Sequence, residues 1–161
     1  MLPLDFLRSA EALLASNKNR PSRVNLRRAT SATYYALFHT LARSAANLFI
    51  GGARAQKSRG AWQQLYRAID HRAAKEACSF KNRKSRPILA LFPAPIQDFA
   101  NAFVTMQEKR HRADYDPYAT FTKSAVQKDI AAARQVIVDF NAQTAKDRRA
   151  FCVHVLFRPR P

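Results

Sequence analysis

The sequence predicts an all-α protein, a single up-and-down bundle of about five helices. Three observations carry that expectation. Glycine is scarce, with three in 161 residues and two of them adjacent, whereas many β-turns and bulges require it. Alanine, leucine and arginine, all good helix formers, abound. Apolar residues recur at steps of three and four through most of the chain, the period of a helix with one buried stripe. With 47% hydrophobic content the chain can bury one core and falls short of two, so residues 1–161 are read as one domain with its core between 19 and 157.

Taken in order, Leu2 to Ala15 is a short amphipathic helix whose turns are marked by Leu4, Leu7, Glu11 and Leu14. Asn17 to Ser22 is a polar turn, and Ser22 is placed to cap the next helix. That helix, Arg23 to Ile50, stops at Gly51-Gly52, where glycine suits a helix C-terminus. Its middle, Ala32 to Ala42, is apolar or weakly polar nearly all round, as expected of a central helix contacted on several sides. After a basic loop at 51–60, one helix is expected from Ala61 to Cys78. Its stripe is Trp62, Leu65, Tyr66, Ile69 and Ala73, with His71 at the surface or boundary. Residues 79–95 read as an irregular basic loop. Pro95 suits a helix start, and Ile96, Phe99, Ala100, Phe103 and Met106 are the stripe that follows. This helix cannot run past Asp116, because Pro117 disfavours helical geometry in the residue before it. The last segment begins near Thr122, where Ser124-x-x-Gln127 resembles a capping box. Val126, Ile130, Ala133, Ile137 and Phe140 form its stripe, a bend is expected within 141–147, and apolar character resumes up to Phe157.

Charge narrows the function. The chain has 28 Lys and Arg against 11 Asp and Glu, a formal net charge of +17. Residues 1–90 alone hold 17 basic residues against 4 acidic ones. Such an excess implies an anionic partner: RNA, DNA or an acidic protein. The candidate phosphate contacts are Arg27 and Arg28, together with Lys81, Arg83, Lys84 and Arg86, which crowd beside Phe80. The basic residues are spread over several helices and loops, which argues against a membrane-surface role. No apolar run approaches the length of a transmembrane helix. Cys78 and Cys152 stand far apart, and the N-terminus lacks a signal-peptide pattern, so a reducing, cytoplasmic setting is expected. His39, His71, His111 and His154 have no metal-like spacing and no glycine-rich phosphate loop is present. Neither a metal nor a cofactor is therefore expected.

The most informative stretch is Met106 to Tyr118, M-Q-E-K-R-H-R-A-D-Y-D-P-Y. Continuing the apolar stripe beyond Met106 brings Arg110 and then Asp114 onto the packing face. A buried guanidinium needs a counter-charge, and Asp114, one turn on, is placed to supply it. On the central helix Tyr34, Tyr35 and His39 are either packed aromatics with a satisfied core histidine or the polar tips lining Arg110's pocket.

Three segments, R-R-A-T-S-A-T-Y-Y-A-L-F-H (27–39), A-W-Q-Q-L-Y-R-A-I-D-H (61–71) and Q-E-K-R-H-R-A-D-Y-D-P (107–117), together resemble the HEPN superfamily (higher eukaryotes and prokaryotes nucleotide-binding domains). The resemblance spans about residues 20–157. It implies an all-α bundle of four or five helices, and for many members a metal-independent ribonuclease of toxin or defence type that works as a homodimer. Other members are inactive RNA-binding or antitoxin-partner domains. Active members pair an arginine with a histidine that follows after four to six intervening residues. Arg110 matches the arginine, but the histidine positions hold Tyr115, Asp116 and Pro117. His111 directly follows Arg110 and points about 100° away around the helix. Arg149 and His154 have the spacing but lie in the wrong helix. The resemblance therefore implies an RNA-binding protein whose reduced site would use Arg110 on phosphate, Asp114 to orient it, and His111 or Tyr115 for the proton. The competing expectation is a non-catalytic module that dimerises or docks an acidic protein, as in a toxin–antitoxin-like pair.

Overall fold

The computed structural model describes residues 2–157, and among them every regular element is a helix. In chain order these are α1 (Pro3–Asn19), α2 (Arg23–Phe49), α3 (Arg59–Tyr66), α4 (His71–Cys78), α5 (Arg86–Leu89), α6 (Ala94–Tyr115), α7 (Lys123–Ala142) and α8 (Ala145–Leu156). No helix among the described residues is long and apolar enough to cross a membrane. The expected five helices become eight for local reasons. The single helix expected from Ala61 to Cys78 is two, because Asp70 caps α4 by accepting from the Ala73 N–H at 2.8 Å. The bend expected within 141–147 is a full break. Thr144 there accepts from the Asp147 N–H at 3.1 Å and donates to the Asp147 carboxylate at 2.7 Å. The loop at 79–95 contains the one-turn helix α5, and Ser85 ties it to the Glu76 carbonyl at 2.9 Å.

Other boundaries follow the sequence. Ser22 caps α2 by accepting from the Asn25 N–H. α6 ends at Tyr115, with Asp116 extended ahead of Pro117. The cap of α7 is Thr122, which accepts from the Ala125 N–H; Ser124, expected to cap, lies inside the first turn. The chain leaves helical geometry at Ser16, and Asn17, Lys18 and Asn19 are left-handed with φ of 50°, 54° and 66°. Asparagine tolerates that region better than most residues, which lets the polar turn reverse the chain.

α2 is the axis of the fold, packed by α1, α3, α6, α7 and α8. The stripes read for two helices are the ones buried: Ile96, Phe99, Ala100, Phe103 and Met106 on α6, and Val126, Ile130, Ala133, Ile137 and Phe140 on α7. The stripe read for 61–78 is not: only Ile69 of it is buried, Trp62, Leu65, Tyr66 and Ala73 are half-buried, and Ala74 and Cys78 fill the core on α4, because the break at Asp70 resets the helical phase. Phe99 stacks on Phe140 with ring centres 4.3 Å apart, and Phe151 of α8 meets both rings edge-on. Cys78 and Cys152 are free and buried in this core. Burial pushes both thiols up, Cys152 to about 12, so neither is a nucleophile at neutral pH.

One side chain sets where α6 ends against α2. Arg27 donates from Nη1 to the carbonyls of Ala113 (2.9 Å) and Asp116 (2.8 Å), and from Nη2 to those of Pro117 (3.2 Å) and Ala119 (2.8 Å). A planar fork with a fixed charge is suited to gathering the carbonyls that a helix C-terminus leaves unpaired. Arg27→Ala is expected to lower unfolding stability by about 3 kcal/mol, since several charge-assisted bonds vanish at once. Arg27→Lys should recover only part of it, because a lysine point charge cannot span four acceptors. Urea midpoints of the three proteins check this, and equal midpoints for wild type and Arg27→Ala would exclude the latch.

Candidate functional site

Arg110 projects from the last turns of α6 onto the face of α2. Its side chain is 19% exposed, and its Nε lies 2.6 Å from an Asp114 carboxylate oxygen, itself on a side chain 30% exposed. The N–H is not aimed at that oxygen, so the contact is an ion pair by proximity rather than an aligned hydrogen bond. Nη2 donates to the Tyr35 hydroxyl at 3.2 Å. The guanidinium carbon sits 5.9, 5.6 and 5.9 Å from the ring centres of Tyr34, Tyr35 and Tyr115, within cation–π range of all three. Burial works against its charge, but Tyr35, Asp114, Tyr115 and Tyr34 outweigh that and hold its pKa above the ordinary arginine value. Asp114 is fixed in turn by the Ser31 hydroxyl, which donates to it at 2.6 Å.

Behind Arg110 lies a layer of rings. Tyr34 is fully buried, and its hydroxyl is 2.6 Å from His71 Nδ1. A buried hydroxyl must donate, and burial pushes the Tyr34 pKa up, out of reach of neutral pH. Tyr34 therefore donates to Nδ1, and the imidazole proton sits on Nε2. His71 also stacks on Phe38 with ring centres 4.0 Å apart. Its pKa is lowered by burial first and by the Arg110 charge second, with Asp70 opposing. His39 is one step further out: it stacks on Phe6 (4.8 Å) and pairs through Nδ1 with the Tyr66 hydroxyl (2.6 Å). Burial lowers its pKa as well, with His71 contributing.

The fold thus brings together Arg110, Asp114, Tyr34 and Tyr35, with Tyr115 at the rim and His39 one ring away. His111 faces outward, with its ring 5.0 Å from Tyr115 and none of its contacts on Arg110. His154 donates from Nε2 to the Ala77 carbonyl at 2.8 Å and belongs to the α8 packing. Arg27 is employed differently from the expectation, since its guanidinium is engaged by the four carbonyls of the latch. Arg28 is exposed, and so are Lys81, Arg83, Lys84 and Arg86. Those four precede the start of α6 at Ala94, so about 24 Å of helix separates that start from Arg110.

Sequence reasoning missed His71 and Ser31. The signal for His71 was the Asp-His pair itself, since an aspartate that caps a helix makes the next residue its first, and here that fixes His71 at the start of α4, half-buried against Tyr34. The signal for Ser31 was spacing: Arg27, Ser31, Tyr35 and His39 recur at four-residue steps and mark one polar stripe on an otherwise apolar helix. Compared with known proteins, the chain matches no protein-family model, no curated protein and no solved structure.

The two depressed histidines give the fold a pH dependence. The unfolded chain takes up protons at the ordinary imidazole pKa, about 6.5, while folded His71 and His39 resist them. More protons bound in the unfolded state means stability rises with pH. The stabilising contribution is complete above the ordinary histidine range. It declines as pH falls through that range towards the lowered folded values. Urea unfolding at pH 7.5 and 5.5 should give the lower midpoint at 5.5, and His71→Gln should narrow the gap. A midpoint that rises on acidification would contradict the assignment.

Proposed function

We propose that this is an RNA-binding protein of HEPN-like build, which holds single-stranded RNA at the end of the bundle where α2 begins and α6 stops. The observation that carries the reading is the surface there. The Arg27 latch draws the first turns of α2 against 113–119, so that the exposed Arg23 lines one cleft with Tyr118; the exposed Arg28 follows Arg27 on α2, and the exposed Arg112 lies in the last turn of α6 with Tyr115. Tyr115 and Tyr118 are 66% and 91% exposed. Exposed aromatic rings between cationic side chains are what a single strand needs: every base has a face to stack, and every step brings a phosphate. Arg110 lies under Tyr115 at the same end, and a net charge of +17 supplies long-range attraction.

Cleavage needs a base for the 2′-hydroxyl proton. The histidine behind Arg110 carries its proton on Nε2 and offers Nδ1 to Tyr34, while His111 points away. The arrangement favours binding phosphate over cutting beside it.

Fluorescence anisotropy with a labelled single-stranded RNA tests the reading. Affinity should fall steeply with salt, since each phosphate neutralised on a single strand contributes a log–log slope of about −0.7. Tyr118→Ala and Tyr115→Ala should each weaken binding about tenfold, because a stacked base is worth roughly 1–3 kcal/mol. End-labelled RNA incubated in EDTA should stay intact. Binding unchanged by both tyrosine variants would place the RNA elsewhere, and cleavage abolished by Arg110→Ala would make the protein a ribonuclease.

A further inference from the structure

A cavity of about 450 Å³ opens between the first turn of α1, the later turns of α2 and the junction of α7 with α8. It is well separated from the RNA-binding end, since Arg43 on its wall lies 16 residues beyond Arg27, about 24 Å along α2. Leu4, Leu48 and Ile137 form an apolar wall, and three arginines face the same space. Only one of the three has a counter-charge: Arg8 pairs with Asp5 at 3.2 Å. Arg148 donates Nε to the neutral Gln143 carbonyl at 3.1 Å. Arg43 acts on the Tyr66 hydroxyl, which burial keeps uncharged, and it has no ion pair or hydrogen bond among the described residues.

Ser44 belongs to the same wall, but its Oγ is sealed from solvent and lies beside the buried Cys152 thiol of α8, so it offers nothing to the cavity. The donors that remain open to the space are the arginines. Two guanidiniums without a carboxylate, facing an apolar wall, are complementary to one kind of molecule.

We infer that this cavity binds a small amphipathic oxyanion. Its carboxylate or phosphate head accepts from Arg43 and Arg148, and its short apolar body lies on Leu4, Leu48 and Ile137. The volume falls in the range of ligand sites, and paired guanidinium forks are the donors such heads take.

Isothermal titration of the full chain with octyl phosphate and with decanoate, both below micelle formation, tests it. One saturable site per chain is expected. The better-bound probe identifies the head group. Octanol, which lacks the charge, should bind at least tenfold more weakly. The Arg43→Gln/Arg148→Gln variant should lose at least tenfold in affinity, and Arg149→Gln, an exposed arginine of α8 outside the cavity, nothing. Should the double variant fail to fold, the single variants and the octanol comparison decide. Equal binding of octanol, affinity unaffected by Arg43 and Arg148, or no saturable heat would overturn the assignment.

Discussion

Fourteen residues of α2, from Leu26 to Ala46, are buried, and they cover most of its circumference. Such a helix leaves only a narrow polar stripe towards water and is stable only when wrapped. The wrapping is supplied by the amphipathic α1, α6 and α7 and by the shorter α3 and α8. The buried threonines do not upset this, since each turns its hydroxyl back onto its own helix. The half-buried part of the polar stripe must then be answered by neighbours.

That demand falls on one stripe. Arg27, Ser31, Tyr35 and His39 stand in line, and the end of α6 answers the first three. The exchange is reciprocal. Arg27 of α2 holds the backbone of α6 where it ends, and Arg110 of α6 lies across the tyrosines of α2. Each guanidinium is partly withdrawn from water, and each is matched by oxygens or ring faces rather than left bare. Tyr115 and Tyr118 lie past the last turn that α2 can cover and stay in solvent. The exposed aromatic surface on which RNA binding is proposed is thus a consequence of where Pro117 stops the helix and Arg27 latches its end.

The histidines show how packing assigns chemistry. His71 and His39 are of one residue type, and burial lowers both pKa values, but their neighbours differ. Tyr34 is sealed, so its hydroxyl dictates the His71 tautomer. Arg110 nearby adds to the pressure against a second proton. An imidazole held this way is a structural acceptor on one side and a donor on the other. The same ring beside a solvated tyrosine would be free to exchange protons.

The sequence by itself determined the fold class, the axis and the buried stripes of α6 and α7, because helical periodicity and glycine scarcity are local properties. It also determined the Arg110–Asp114 pair and the stop at Asp116, which depend only on one-turn spacing and on the geometry ahead of proline. Other features were legible only in part or not at all. The break at Thr144 read as a bend and the one at Asp70 did not read, because in each a capping side chain competes with a continuing apolar period; around Arg86 a one-turn helix is too short to show any period. The packing of the bundle alone decided that Tyr34 and Tyr35 face Arg110, that His71 closes the layer behind them, and that Arg27 serves the backbone instead of a ligand. Those contacts join residues 37 to 92 positions apart in the chain. No local pattern encodes such distances; they follow from how helices close around one whose surface is mostly apolar.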